Sequence, residues 1–149
     1  MLLKMVPDAI VAAWDELSYH IERALPEGER TEQTMTKLLE QLLLGRADCW
    51  VAYDAEDDNR ACFVVVTMPV FNQLTGEKNL LLYNVTNSDT IDMKTSNRMW
   101  IEGLQAIQNF MRANGYSKLV SYFEDDNARS FKLAKRFGAK VKYYIELGV

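Results

Sequence analysis

One short segment of this chain places basic and hydroxyl side chains directly ahead of a helical pattern. It contains Lys94, Thr95, Ser96 and Arg98, and the apolar residues that follow recur at three- and four-residue steps. Backbone N–H groups at the start of a helix, together with the positive end of its dipole, attract negative charge. The segment is therefore a candidate anion site, with the alternative that it is a helix cap with solvated charges.

A second segment contains groups that could transfer protons. Tyr122 is followed by Glu124, Asp125 and Asp126, and a phenol or a carboxylate in a cleft can act as a general acid or base. The alternative is a solvated acidic loop beside a tyrosine that packs. His20, the single histidine, lies in a predicted helix and is interpreted as structural or surface. The sequence contains no Ser-His-Asp, metal-ligand or nucleotide-loop pattern, so we expect no metal.

Composition indicates one globular domain over residues 1–149, with 48% hydrophobic and 26% charged residues. The apolar runs are too short to span a bilayer, and we expect no membrane association and no secretion. Cys49 and Cys62 lie in strand-like segments and are expected to be buried free thiols. A net charge of −4 argues against nucleic acid as a partner.

The elements that must position these residues follow from periodicity and turn residues. The predicted order is ααβββαβαβ, with a further short strand at residues 2–6 as an option. The fold class is therefore α/β (α+β): a mixed central sheet that begins as an antiparallel meander and carries helices on both faces. The predicted helices cover 7–25, 31–43, about 100–114 and 127–138, and the predicted strands cover 49–54, 61–71, 80–86, 119–123 and 140–147.

The fourth predicted helix supports a family resemblance. Residues 127–139 resemble the last helix of the GNAT N-acetyltransferase superfamily, which typically reads N-x-x-A-x-x-L-Y-x-x-x-G-F. Asn127, Leu133 and Gly138 match that pattern, whereas Ser130 replaces the small alanine. The order of elements resembles the same superfamily along nearly the whole chain. The resemblance implies a single GNAT-like domain.

The resemblance also implies where acetyl-CoA would bind and why this chain departs from the family. GNAT enzymes hold the pyrophosphate with a Q/R-x-x-G-x-G/A loop, in which glycines let backbone N–H groups approach closely. The matching residues 92–98 contain no glycine. The acetyl-CoA site is therefore expected to be degenerate. If it does bind, the candidate cofactor ligands are Lys94, Thr95, Ser96, Arg98 and Asn127.

The catalytic acid of the family is also replaced. Many GNAT enzymes protonate the departing thiolate with a tyrosine at the position of Ala134, and alanine cannot donate a proton. Tyr122 is a candidate substitute, with Tyr143 and Tyr144 as further options. Glu124 is a candidate base for an amine, the alternative being water held by Asn84 and Thr86.

Several N-terminal segments resemble small GNAT-like proteins encoded in tailed-phage genomes among particle genes. They include Val6-Pro7, Trp14 and residues 43–52. The resemblance implies a non-enzymatic, virion-associated or accessory module that binds a protein partner, located in the bacterial cytoplasm or the particle. The alternatives are a divergent acetyl-CoA-dependent N-acyltransferase and a small-ligand or toxin-antidote binder.

Overall fold

A computed structural model describes residues 1–54, 60–88, 91–123 and 129–149. Its strands are β1 (Leu3–Lys4), β2 (Asp48–Tyr53), β3 (Ala61–Phe71), β4 (Lys78–Asn87) and β5 (Leu119–Ser121). Its helices are α1 (Pro7–Ala12), α2 (Trp14–Ala24), α3 (Glu32–Leu43), α4 (Met93–Ala113) and α5 (Arg129–Arg136), with a 3₁₀ turn at Glu27–Glu29.

The five strands form one sheet in the order β1-β2-β3-β4-β5. The first four are antiparallel neighbours, whereas β5 joins β4 in parallel after the chain has crossed over through α4. The short strand considered at residues 2–6 is present as β1. The predicted mixed sheet with an antiparallel meander is confirmed.

Alternation along β3 divides the interior into two cores. Val64 and Val66 face the layer formed by α1, α2 and α3, whereas Phe63 and Val65 face α4. All four side chains are at most 2% exposed. Burial of one such side chain contributes about 1.5–3 kcal/mol, so both helical layers are held by the same strand. The predicted helices on both faces are confirmed.

The first predicted helix, residues 7–25, is two helices in the structure. Ala13 has φ −104° and ψ 12°, outside helical geometry, and separates α1 from α2. Neither glycine nor proline marks the break, and Ile10 and Leu17 on either side reach the same core. Hydrophobic spacing therefore continues across Ala13, which is why the sequence did not reveal the break.

The predicted final strand at residues 140–147 is not formed, which corrects the expected order of elements. The structure assigns no strand to these residues, and Tyr143 is 96% exposed and Ile145 88% exposed. Alternation of apolar and polar residues predicts which side chains would share a face. It does not supply the neighbouring backbone that a strand needs for hydrogen bonds.

Candidate functional site

The candidate site is the region where β4 and β5 stop pairing. The two strands pair over only three residues, from Leu80 with Leu119 to Leu82 with Ser121. The Ser121 hydroxyl donates to the Leu82 carbonyl at 3.0 Å and closes the last paired position. β4 then continues to Asn87, and in the described part of the chain its only strand partner beyond Leu82 is β3. Pairing between β4 and β5 therefore ends at Leu82 and Ser121, and the far end of β4 lies next to the start of α4 through the Asn87–Ser96 hydrogen bond.

The N-terminus of α4 is capped by a carboxylate of the chain itself. Asp92 lies in extended conformation ahead of the helix, and its Oδ1 accepts from the Thr95 backbone N–H at 2.7 Å. The pKa of Asp92 is lowered chiefly by this backbone hydrogen bond and, to a smaller extent, by a hydrogen bond with the Thr95 side chain. The positive end of the helix therefore already holds an anion.

In the segment predicted as an anion site, some side chains face the surface and one faces the interior. Lys94 is exposed, and Arg98 is exposed with its Nε 4.0 Å from Glu102. Ser96 is only 1% exposed, and its Oγ accepts from the Asn87 amide at 3.1 Å. The two basic side chains are thus one helical turn apart at the surface, while the serine hydroxyl is engaged inside.

Thr95 is half-buried and contributes its backbone N–H to the cap described above. Asn127, the remaining candidate cofactor ligand, lies outside the described residues. The structure consequently brings Lys94, Thr95 and Arg98 to one helix end.

Of the two candidate catalytic residues, only Tyr122 lies within the described residues. Tyr122 directly follows β5, is 70% exposed, and has its ring 5.6 Å from that of Tyr144. The aromatic pair involves two of the tyrosines considered as acids, in an exposed position. Glu124 lies outside the described residues, as do Asp125 and Asp126.

Asn84 and Thr86 have a structural task that the sequence did not reveal. Asn84 donates to the Ile21 carbonyl at 3.1 Å, and Thr86 donates to the His20 carbonyl at 2.8 Å. The Ile21 carbonyl is one of the last four of α2, which lack partners within the helix, and the His20 carbonyl precedes it directly. The two side chains therefore connect the end of α2 to β4 on the face away from α4. Their alternation in an otherwise apolar strand was the available signal.

Two spaces border these elements. An apolar cavity of about 10 Å³ lies between the sheet and α4, next to Leu82, Val85 and Trp100, and is too small for a ligand. A larger groove of about 400 Å³ lies between α2 and α3. It is lined by Trp14, Ser18, Glu22, Glu32, Met35, Thr36 and Leu39.

Both cysteines are buried free thiols, as predicted. Burial, with a smaller contribution from Asp48, raises the pKa of Cys49 to about 12, and burial likewise raises the pKa of Cys62. A thiol must ionise to act as a nucleophile, and these two remain protonated at neutral pH.

Within the described ranges, no cluster of three or more His, Cys, Asp or Glu side chains could hold a metal ion. In that same part of the chain, none of the helices combines the length and apolar character needed to cross a membrane.

No protein-family model matches the chain, and no curated protein matches its sequence. Solved structures do match. A probable acetyltransferase gives a TM-score of 0.73 at 13% identity, covering 100% of this chain and 99% of that one. A predicted acetyltransferase from Clostridium acetobutylicum, solved with acetyl-CoA, gives 0.71 at 13% identity, covering 99% and 95%.

A ribosomal-protein-alanine N-acetyltransferase from Brucella melitensis biovar Abortus 2308 gives a TM-score of 0.68 at 11% identity, covering 100% of this chain and 99% of that one. Identities this low establish a shared architecture. Together with the parallel β4–β5 pair that follows the antiparallel strands, they show that this chain has the GNAT acetyltransferase fold.

Proposed function

We propose that this chain is a GNAT-fold protein that does not transfer acetyl groups and serves instead as a protein-binding module. The observation that carries the proposal is the Asp92 carboxylate on the Thr95 amide at the start of α4. In a GNAT enzyme this is where the pyrophosphate of acetyl-CoA would need free N–H groups. Here one of those groups is occupied by a negatively charged side chain.

Electrostatic repulsion and steric hindrance both disfavour a phosphate at this helix end. A phosphate placed beside the Asp92 carboxylate would be repelled by a like charge, although water screens part of that repulsion at an exposed site. Residues 92–98 also carry a side chain at every position, which keeps a phosphate away from the backbone. Lys94 and Arg98 offer compensating charge only at the exposed surface.

The experiment is isothermal titration with acetyl-CoA and with CoA. We expect no saturable heat up to millimolar ligand, whereas a working site binds at micromolar to sub-millimolar concentration, or about −5 to −8 kcal/mol. Saturable binding that is lost in Lys94→Ala or Arg98→Ala would overturn the proposal. Lys37→Ala is the matched control, because Lys37 is an exposed lysine on α3, across the sheet from α4.

The groove between α2 and α3 is the surface that best suits a protein partner. Trp14, Met35 and Leu39 provide apolar area, and Glu22 and Glu32 add negative charge. A partner segment with apolar side chains flanked by Lys or Arg would match it. We expect Glu22→Lys with Glu32→Lys to abolish co-purification of such a partner, and Glu40→Lys on the same layer to preserve it.

The finer expectation is that the partner is a phage particle component, which rests on the N-terminal sequence resemblance. Its test is the protein content of purified particles produced with and without this gene. Presence at a fixed number of copies per particle supports a virion-associated role. A protein found only in the free fraction would contradict that role while leaving an accessory role intact.

A divergent N-acyltransferase is the second candidate, favoured by the parallel β4–β5 pair and by acetyltransferases among the structural neighbours. In that case acetyl-CoA would lie along β4 with Lys94 and Arg98 near its phosphates, and Tyr122 would be the acid. Acetyl transfer to an amine that falls at least tenfold in Tyr122→Phe, with Tyr19→Phe unchanged, would establish it.

A further inference from the structure

Residues 129–147, which we call the basic-apolar segment, concentrate positive charge in a chain that is acidic as a whole. Residues 129–142 contain six Lys or Arg and no acid, and Glu146 is the only acid in the segment. The nearest acids before it, at 124–126, lie outside the described residues. A local cluster of one sign attracts a surface of the opposite sign, whatever the net charge of the molecule.

Helix α5 presents three of these charges on one face. Lys132, Lys135 and Arg136 are spaced by three and four residues, and all three are exposed. The helix is held to its own chain by Phe131, which is half-buried with its ring 6.0 Å from that of Phe123. The basic face of α5 therefore lies in solvent on an element that packs against the protein.

The residues after α5 add apolar side chains that also lie in solvent. Tyr143 is 96% exposed, Ile145 88% and Leu147 91%. They do not hang free of the molecule, because Tyr144 places its ring 5.6 Å from that of Tyr122, just after β5. An anchored apolar surface that remains in water marks an interaction site.

The combination of these two surfaces matches the boundary of an anionic lipid bilayer. Lys and Arg are attracted to negatively charged headgroups, and exposed Ile and Leu side chains enter the apolar region just beneath them. Tyrosine suits the same depth, because its ring is apolar while its hydroxyl can remain hydrated. Stable attachment to a bilayer takes two such signals, and the segment contains both within 19 residues.

We propose that the basic-apolar segment binds the surface of anionic lipid bilayers. Helix α5 supplies the charge, and Tyr143, Ile145 and Leu147 enter the interface. The expectation of no membrane association rested on short apolar runs, which exclude a helix that spans a bilayer but not contact with its surface. The acidic remainder of the chain is repelled by such a surface, so the protein binds in one orientation.

A nucleic acid offers the same negative charge, but the apolar side chains favour the bilayer. Single-stranded nucleic acids stack their bases on aromatic rings. The aliphatic side chains of Ile145 and Leu147 give a base no such platform, whereas a bilayer buries aliphatic and aromatic side chains alike. These two residues therefore distinguish the two kinds of partner.

The first experiment is co-sedimentation of the full chain with vesicles of phosphatidylcholine, with and without about 30% phosphatidylglycerol. We expect binding only to the anionic vesicles at about 0.1 M salt, with at least a tenfold loss at about 0.5 M salt. Lys132→Glu with Arg136→Glu should weaken binding at least tenfold. Lys37→Glu with Arg46→Glu reverses two exposed charges on and just after α3 and is the matched control.

The second experiment removes apolar area and leaves the charge unchanged. Ile145→Ser with Leu147→Ser should weaken vesicle binding at least tenfold, because both side chains leave water only in the bound state. Leu44→Ser with Leu74→Ser removes two exposed leucines elsewhere and should have no effect. Circular dichroism of all four double variants verifies that the fold is retained.

Three results would overturn the proposal. The first is the same affinity for neutral and anionic vesicles, or no binding to either. The second is vesicle binding that does not change when Ile145 and Leu147 are both replaced. The third is a single-stranded oligonucleotide that binds more tightly than the anionic vesicles and is unaffected by the two serines, which would assign the basic face to nucleic acid.

Discussion

At the scale of single residues, Asp92 determines the character of the helix end that would have to bind a phosphate. Its carboxylate already occupies a backbone N–H that an external anion would need. The hydrogen bonds that lower its pKa also stabilise α4, because the charged form is the one they favour. The same residue thus strengthens the fold while weakening the family's cofactor site.

Asp92→Ala should lower the urea midpoint at neutral pH. Asp92→Asn keeps a neutral cap, so its midpoint should lie between those of the wild type and Asp92→Ala. Since the folded-state pKa is lowered, the stabilisation by charge is complete above the ordinary pKa of 3.8 and disappears as pH falls through the lowered value. The difference between wild type and Asp92→Asn should therefore vanish in acid. A difference that grows in acid would contradict the cap.

At the scale of elements, α4 packs on the sheet through its smallest residue. Gly103 faces β1's neighbour Leu2, and a Cβ placed on it would lie 3.3 Å from the Leu2 Cδ2 atom. Ser96, Trp100, Gly103, Ile107 and Met111 continue one stripe of the helix at steps of three and four. Close approach at Gly103 therefore brings the whole stripe, and the start of α4, against the sheet.

Gly103→Leu should destabilise the protein by about 1–3 kcal/mol, because the larger side chain cannot fit against Leu2 without shifting α4. Gly103→Ala should be close to neutral, since its helix propensity gain of about 1 kcal/mol offsets a contact with the flexible end of Leu2. Urea denaturation of both variants checks the contact. Equal stability of the two would contradict it.

The same stripe shows how far the candidate site could be predicted. Sequence reasoning placed residues 92–98 ahead of a helix over about 100–114, whereas the structure begins α4 at Met93, so most of that segment is the first turns of the helix. The inward orientation of Ser96 could have been found, because Ser96 lies four residues before Trp100 on the buried side. The hydrogen bond between that hydroxyl and Asn87 could not have been found from the sequence, since it depends on how β4 is placed against α4.

Long-range pairing explains the other differences. The three long strands and the helices on both faces follow from local periodicity, and all were predicted. The break at Ala13 depends on how α1 and α2 share one core, and strand formation at 140–147 depends on a neighbour. Neither property is encoded in the spacing of residues along the chain.

At the scale of the whole molecule, charge is unevenly distributed. Residues 129–142 contain six Lys or Arg and no acid, so the rest of the chain carries a formal charge of −10 against a total of −4. The acidic groove between α2 and α3 and the basic C-terminal region therefore belong to oppositely charged parts of the molecule. A basic partner is directed to the first and repelled by the second.

The three-residue contact between β4 and β5 has a consequence for how the molecule opens. β3 is paired on both sides and buried on both faces, whereas the described part of β5 pairs only with β4, over Leu119, Val120 and Ser121, next to two backbone hydrogen bonds from Ser117 and Lys118. Amide hydrogen exchange should therefore be slowest at Val64, Val65 and Val66, at the free energy of global unfolding.

The amides of Val120 and Ser121 should exchange at least a hundredfold faster, through a local opening that leaves the four-stranded meander closed. Uniform protection across β3 and β5 would instead indicate a single cooperative unit. If the two steps are distinct, residues 119–149, about a fifth of the chain, can detach and rejoin while the rest of the protein stays folded, and partners could be exchanged without complete unfolding.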